Sequence, residues 1–214
     1  MAGIGYLEKH ATPNRWDYNT WNYYINITFL PWLEIAYTCT IFDEIIKRGQ
    51  YNIHLMNQDR NFSGRLRLWK EGWWKDWTPQ IVIGGNDVLH SSGEGGGIGT
   101  VETGGNTFFQ RYYIAATKHF FWHGEWGFHV AYLYSKRIGH KFNGTAFGIN
   151  YHFTLPQVST VNKIINRLNL IGEYDSKMVN IGAKYMLWKD HINIIGELRE
   201  CKYPSVGIYF KIHL

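Results

Sequence analysis

A histidine and a serine in one glycine-rich segment are the first residues that could do chemistry. His90 and Ser92 lie two positions apart, and a serine becomes a nucleophile when a neighbouring imidazole accepts its proton. A hydrolase would hold such a pair on a strand, whereas glycines at 93, 95, 96 and 97 follow this one. Those glycines also lack the Lys-Ser/Thr that completes a phosphate-binding loop. We therefore predict a loop here and no catalytic residue.

The other histidines and the cysteines form no recognisable metal-binding pattern. His119 and His123 flank a predicted turn beside Trp122, which favours a position at an interface over a zinc site. Cys39 and Cys201 are far apart and have no ligand spacing, and a disulfide between them stays an open alternative. The sequence predicts no metal and no cofactor.

Charge and hydropathy exclude two classes of protein. The formal net charge is only +5 and the sequence has no basic block, so the electrostatic footprint of a nucleic-acid-binding protein is missing. Nucleic acid is therefore not an expected partner. No apolar run approaches the roughly 20 residues of a membrane helix, which excludes a helical membrane protein.

Apolar and polar residues alternate through long segments of the chain. Trp21, Tyr23 and Ile25 share one face, for example, and Asn22 and Tyr24 share the other. These segments run to about ten residues, the length with which a tilted strand crosses a bilayer, whereas strands of soluble domains run to about five or six. Glycine, asparagine, threonine and the charged residues share the polar face, as a narrow lumen requires. The sequence thus predicts an all-β fold, a closed antiparallel transmembrane β-barrel of about 12 strands forming one domain over 1–214.

The connections between the predicted strands alternate in length. Those after even-numbered strands are mostly short and aromatic, and those after odd-numbered strands are more often long and polar, at 11–19, 43–60, 86–106 and 136–143. Outer-membrane barrels have short periplasmic turns and longer extracellular loops in this way. We expect a flexible extracellular loop at 86–106, and a short periplasmic helix at 156–165, where apolar residues follow helical spacing. Tryptophans at the short connections predict an interfacial girdle: Trp32, Trp73, Trp74, Trp77, Trp122 and Trp188.

The two ends of the chain bear on its location. No signal peptide is visible at Met1, so we infer that the sequence starts near a mature N-terminus from which the signal was removed. Near the other end, Ser205, Gly207, Phe210 and Ile212 resemble the signal that the barrel-assembly machinery reads on a last strand. The expected location is the cell outer membrane. The expected partners are outer-membrane lipid, lipopolysaccharide and, during insertion, that machinery.

Charged residues of both signs fall on the polar faces of the predicted strands. Mixed signs favour a self-neutralising ion-pair plug over a selective pore, in which one sign is more often in excess. The predicted lumen-lining residues are Glu34, Arg65, Arg67, Glu173, Lys184, Glu197, Arg199 and Lys211.

Several stretches are similar to one known family. They are NYYINITFLPWLE at 22–34, QDRNF at 58–62, PQIVIG at 79–84, YIAATK at 113–118, LIGEYD at 170–175 and the segment 177–214. These stretches resemble the YjbH family of outer-membrane proteins linked to exopolysaccharide biosynthesis, in a short form of the kind seen in Bacteroidetes. The resemblance implies an outer-membrane barrel and supplies no catalytic residues to carry over.

The leading hypothesis is a non-enzymatic outer-membrane barrel that serves as an accessory or anchoring subunit of a cell-envelope complex linked to surface polysaccharide export. Its partners would include other outer-membrane or lipoprotein subunits. The alternative is a narrow, porin-like channel for small solutes, lined by Arg65, Arg67, Lys184 and Arg199. A lipid-modifying enzyme that uses His90 and Ser92, and a soluble carbohydrate-binding sandwich, are weaker alternatives.

Overall fold

All strands of the protein belong to one antiparallel sheet. A computed structural model describes residues 1–11, 18–48, 51–91, 98–99, 109–136 and 143–212. Its strands are β1 Ala2–Leu7, β2 Thr20–Leu30, β3 Leu33–Arg48, β4 Tyr51–Trp69, β5 Gln80–Ser91, β6 Ile98–Gly99, β7 Arg111–Phe121, β8 Glu125–Tyr134, β9 Gly144–His152, β10 Leu168–Tyr174, β11 Val179–Trp188, β12 Ile192–Arg199 and β13 Tyr203–Phe210. The helical elements are a 3₁₀ turn at Lys9–Ala11 and the helix α1 at Thr160–Ile165.

The sheet closes on itself. Each long strand pairs with the next one along the chain, and β5 pairs with β7 across the connection that contains β6. The first strand then pairs with the last, with Gly5 opposite Gly207. The two-residue β6 pairs with the last two residues of β5. The wall of the barrel is therefore a ring of the other twelve strands. The predicted closed 12-stranded antiparallel barrel is confirmed.

The barrel is apolar outside and polar inside. The outward side chains Ile25, Ile114 and Val206 are 52%, 50% and 50% exposed, whereas the inward Thr40 and Asn193 are 1% and 0% exposed. A contiguous apolar surface of this extent is costly in water. It suits an environment of lipid tails, with the polar interior shielded from them.

Aromatic residues gather toward both ends of the outer surface. Residues 31–32 join β2 to β3 at one end of the barrel, which we call the tryptophan end. The connections with Trp32, Trp73 and Trp122 lie there, and so does Trp188 at the end of β11. At the opposite end, which we call the far end, outward aromatics stand near the ends of five strands: Tyr6, Trp21, Tyr112, Tyr134 and Tyr174. Aliphatic side chains such as Ile25 and Ile114 lie between the two bands. The sequence predicted only the first of them.

The lengths of the connections follow the prediction only in part. Residues 31–32, 122–124 and 189–191 make tight turns at the tryptophan end, but 70–79 and 153–167 are long. Residues 8–19 and 92–110 are long connections at the far end, while 175–178 and 200–202 are short. The predicted loop at 43–60 is wrong, because β3 and β4 stay paired from Leu33↔Leu66 out to Arg48↔Tyr51.

Two smaller segments also differ from the prediction. Within the expected loop 86–106, residues 86–91 belong to β5 and 98–99 form β6, while 92–97 and 100–106 lie outside the described residues. The helix expected at 156–165 covers only Thr160–Ile165, and the side chain of Ser159 caps it by accepting a hydrogen bond from the Asn162 N–H at 3.1 Å. No helix in the described ranges is both long and apolar enough to span a membrane. Both cysteines are free.

Candidate functional site

Seven of the eight charged residues expected in the lumen have inward register positions. Glu34 pairs with Arg65 across β3 and β4, Lys184 lies opposite Asn169, and Glu197 lies opposite Ser205. Alternation along each strand fixes the inward direction of Arg67, Glu173 and Arg199. Lys211 follows β13 directly and contacts Asp190. The eight residues do not form one network. They separate into groups at different positions along the barrel axis and around the inner wall.

The first group is the ion pair between Glu34 and Arg65. Arg65 Nη2 donates to Glu34 Oε2 at 3.1 Å, and the side chains of Arg65 and Glu34 are 52% and 24% exposed. The pair lines two cavities at once. A cavity of 340 Å³ lies on its far-end side, and one of 60 Å³, also lined by Arg67 and Gln80, lies on its tryptophan-end side. The ion pair therefore marks a boundary between two spaces along the wall.

The second group joins two of the predicted lysines to an acid that the sequence did not single out. Lys211 Nζ donates to Asp190 Oδ2 at 2.6 Å, and Lys184 Nζ lies 3.6 Å from Oδ1. Partial burial opposes ionisation of Asp190, but the Lys211 hydrogen bond and the two ammonium charges hold its pKa below its usual range. Asp190 lies in the turn between β11 and β12, so proximity in the fold rather than sequence spacing brings it to the lysines.

The third group surrounds a cavity of 540 Å³ on the opposite side of the lumen. Glu173 lines it and accepts a hydrogen bond from Asn180 Nδ2 at 2.9 Å. Arg111 and Asp175 also line this cavity, and their Nη1 and Oδ1 atoms are 3.0 Å apart. Neither was predicted as a site residue, because Asp175 follows its strand and Arg111 begins one.

A hydrogen-bonded histidine lies at the same cavity. His129 Nε2 is 2.7 Å from Asn150 Oδ1, and its Nδ1 is 2.9 Å from Thr117 Oγ1. The amide oxygen can only accept, so Nε2 carries the proton and Nδ1 accepts from the threonine hydroxyl. Both ring nitrogens thus form hydrogen bonds with neighbouring side chains.

A fourth polar cluster lies at the rim of the tryptophan end. Glu71 accepts from the backbone N–H of His119 at 2.8 Å, lies 2.7 Å from its Nδ1, and pairs with Lys118 Nζ at 3.0 Å. Partial burial would raise the pKa of Glu71, but these hydrogen bonds lower it to about 2. The cluster ties the connection 70–79 to the end of β7. His119 is therefore held by a carboxylate at the rim.

Two inward tyrosines lie along the wall because glycine stands beside each of them. A Cβ added to Gly84 would meet the Tyr113 ring and hydroxyl at 2.4 Å, and one added to Gly3 would meet the Tyr24 ring at 2.6 Å. Only glycine permits such a close approach. Each ring can therefore lie over its neighbouring strand rather than point toward the barrel axis.

The tryptophans predicted as a girdle are exposed at one end. Trp73, Trp74, Trp77 and Trp122 are 66%, 67%, 65% and 70% exposed. The proposed assembly-signal residues lie on both faces of the last strand and just beyond it, with Ser205 and Gly207 inward and Phe210 and Ile212 outward.

The pair considered for catalysis lies only partly within the described residues. His90 lies on β5 opposite Gly99, and Ser92 lies outside the described residues. Among the residues that the structure describes, no three His, Cys, Asp or Glu side chains form a group that could hold a metal ion.

The architecture is that of an outer-membrane barrel in general. A closed antiparallel ring with an apolar exterior and a polar interior fits a protein of that class. No protein-family model matches the chain, and no curated protein is detectably similar to it in sequence.

Proposed function

We propose that the chain is a non-enzymatic integral outer-membrane barrel that acts as an accessory or anchoring subunit of a cell-envelope complex. The observation that supports this most is the internal pairing of charge on the lumen wall. Glu34 with Arg65 and Arg111 with Asp175 each pair opposite charges, and Asp190 offsets one of the two lysines beside it. Such a lumen offers little excess charge of either sign to a permeating ion.

The link to surface polysaccharide export is the finer part of this proposal. Its support is the resemblance of the stretches 22–34, 58–62, 79–84, 113–118, 170–175 and 177–214 to an exopolysaccharide-associated family. The anchoring role has physical support of its own, because the exposed apolar surface and its two aromatic bands would hold the barrel firmly in a bilayer.

A second candidate function is a narrow channel for small solutes. The observation that favours it is the presence of cavities of 340 and 540 Å³ along the inner wall, since a fully plugged barrel would fill this space with side chains. Arg65 and Arg67 would then line the passage near the tryptophan end.

Planar-bilayer recording separates the two functions. The anchoring role predicts no stable conductance from the purified wild-type protein, and a large stable conductance would overturn it. The double variant Glu34→Gln, Arg65→Gln removes the ion pair at constant net charge, so a conductance that appears only in this variant would show that the pair occludes the lumen. The double variant Lys75→Gln, Asp76→Asn, in the exposed connection 70–79, is the control, because it also removes one charge of each sign. Isolation from native membranes in mild detergent should also give a stoichiometric complex rather than the lone barrel.

A further inference from the structure

Neutral polar groups predominate in the lining of the 340 Å³ cavity. Inward residues of β2, β3, β4 and β5 contribute side-chain amides from Asn22, Asn26, Asn61 and Asn86, and hydroxyls from Thr38 and Ser63. Amides and hydroxyls both donate and accept hydrogen bonds. A cavity of this volume falls at the lower end of the range of about 300–1,000 Å³ that is usual for ligand pockets.

The charged groups at this cavity are already engaged. Arg65 is paired with Glu34 at 3.1 Å, and Asp87 Oδ2 accepts a hydrogen bond from the Phe109 N–H at 2.8 Å. The lining therefore carries two carboxylates against one guanidinium, which makes it unsuitable for an anion. An apolar ligand would be equally unsuitable, because it would leave the surrounding amides and hydroxyls without hydrogen bonds.

Two aromatic rings flank the same cavity. Tyr24 on β2 and Tyr113 on β7 belong to strands that β3, β4 and β5 separate. Gly3 and Gly84 let these rings lie along the wall. An aromatic ring beside converging amides and hydroxyls combines an apolar contact surface with hydrogen-bonding groups, the arrangement that fixes the orientation of a small ligand.

From these features we infer that the cavity between β2 and β7 is a binding site for a neutral, polyhydroxylated molecule of about the size of a single sugar. The hydroxyls of such a ligand exchange hydrogen bonds with the amides, and its C–H faces contact the tyrosine rings. The Glu34–Arg65 pair closes the tryptophan-end side of the site. The inference rests on the proposed function, because the ligand reaches the lumen only if the chain is a barrel open to solvent at one end.

Calorimetric titration of the purified barrel in detergent tests the site, with glucose and sodium gluconate as the probes. The two have similar size and hydroxyl content, but gluconate is anionic. We expect saturable binding of glucose with a Kd of about 1 mM or weaker, and gluconate binding weaker by roughly tenfold or more. Absence of saturation with glucose, or equal affinity for the two probes, would overturn the inference.

Substitutions then locate the binding. Thr38→Val keeps the side-chain shape and removes the hydroxyl, and with Asn26→Leu it should weaken glucose binding by roughly tenfold. Asn169→Leu changes an inward asparagine at the other cavity and should leave the affinity unchanged. An equal loss in this control would contradict the location. If the double variant does not fold, Thr38→Val alone is used, and the wild-type preference between the probes still decides.

Failure of this inference can be told apart from failure of the proposed function. Insertion of the protein into phospholipid vesicles and its electrophoretic shift on heating report on the barrel, not on the cavity. A protein that inserts but does not distinguish glucose from gluconate keeps the proposed function and loses the site. A protein that stays soluble without detergent loses both.

Discussion

Arg111 on β7 reaches past β8 and β9 to the carboxylate of Asp175, with 3.0 Å between Nη1 and Oδ1. The two side chains are 20% and 19% exposed. The contact bridges the inner wall at the far end of the 540 Å³ cavity. It joins β7 to the turn after β10, and β7 and β10 share no backbone hydrogen bonds. The contact therefore stabilises the cross-section of the barrel rather than the pairing of two neighbouring strands.

Removal of one charge should therefore destabilise the barrel. Asp175→Asn leaves the Arg111 guanidinium without its carboxylate, and we expect the free energy of unfolding to fall by about 1–3 kcal/mol. Arg111→Met should cost a similar amount, while the double variant should cost less than the sum, with a coupling of about 1 kcal/mol. Urea unfolding of the four proteins in lipid vesicles measures this. Strictly additive losses would show that the two side chains do not interact.

The cluster around Glu71 predicts a dependence of stability on pH. The pKa of Glu71 is lowered from 4.5 to about 2 by His119 and Lys118, so its ionised form stabilises the folded state. That contribution is fully present above pH 4.5 and is lost as the pH falls toward 2. Glu71→Gln should therefore be less stable than the wild type at pH 6, by about 1–2 kcal/mol, and the difference should shrink below pH 4.5.

Unfolding midpoints measured at a series of pH values between 6 and 2 test this dependence. The comparison must be made between the two proteins at each pH, because other carboxylates titrate in the same range and affect both equally. A difference that stays constant over the whole range would rule out ionisation of Glu71 as its cause.

The glycine beside Tyr113 should tolerate no larger residue. A Cβ at position 84 would lie 2.4 Å from the tyrosine ring and 2.9 Å from the Gly64 carbonyl oxygen, and the backbone oxygen has little room to move. We expect Gly84→Ala to lower the free energy of unfolding by about 1–3 kcal/mol. Gly196→Ala is the matched control, because no atom lies within 4 Å of a Cβ there. Equal effects of the two substitutions in denaturant unfolding would refute the role of close contact.

The alternation of residues was sufficient to predict the closed ring, because membrane and lumen impose opposite solvents on alternate side chains. It failed at 43–60, where β3 and β4 continue as a paired hairpin to Arg48 and Tyr51. Polar residues follow one another there without a regular alternation. Backbone pairing can continue without such a pattern, and the sequence then looks like a loop.

The contacts within the candidate sites could be predicted less well than the fold. The inward direction of Glu34 and Arg65 follows from the two-residue period of a strand alone. Their pairing follows from the register of the β3–β4 hairpin. Asp190, by contrast, lies in a turn that the sequence marks only as a turn, and it meets Lys211 from another strand end. Glu71 and His119 are 48 residues apart. Contacts of this kind depend on the shear and closure of the ring, which single-sequence patterns do not fix.

The tryptophan end gives the last prediction. Trp73, Trp74 and Trp77 are about two-thirds exposed in the connection between β4 and β5, and tryptophan prefers the level of the lipid headgroups. In vesicles, lipids brominated near the headgroup should quench the fluorescence of these tryptophans. The triple change to Phe should therefore remove much of that quenching. It should remove little of the quenching by lipids brominated deep in the tails. Trp21→Phe removes a single tryptophan of the far-end band and should lower the headgroup signal less than the loss of all three. If acrylamide in the water quenches the three tryptophans while neither brominated lipid does, they project into solvent and are not part of an interfacial girdle.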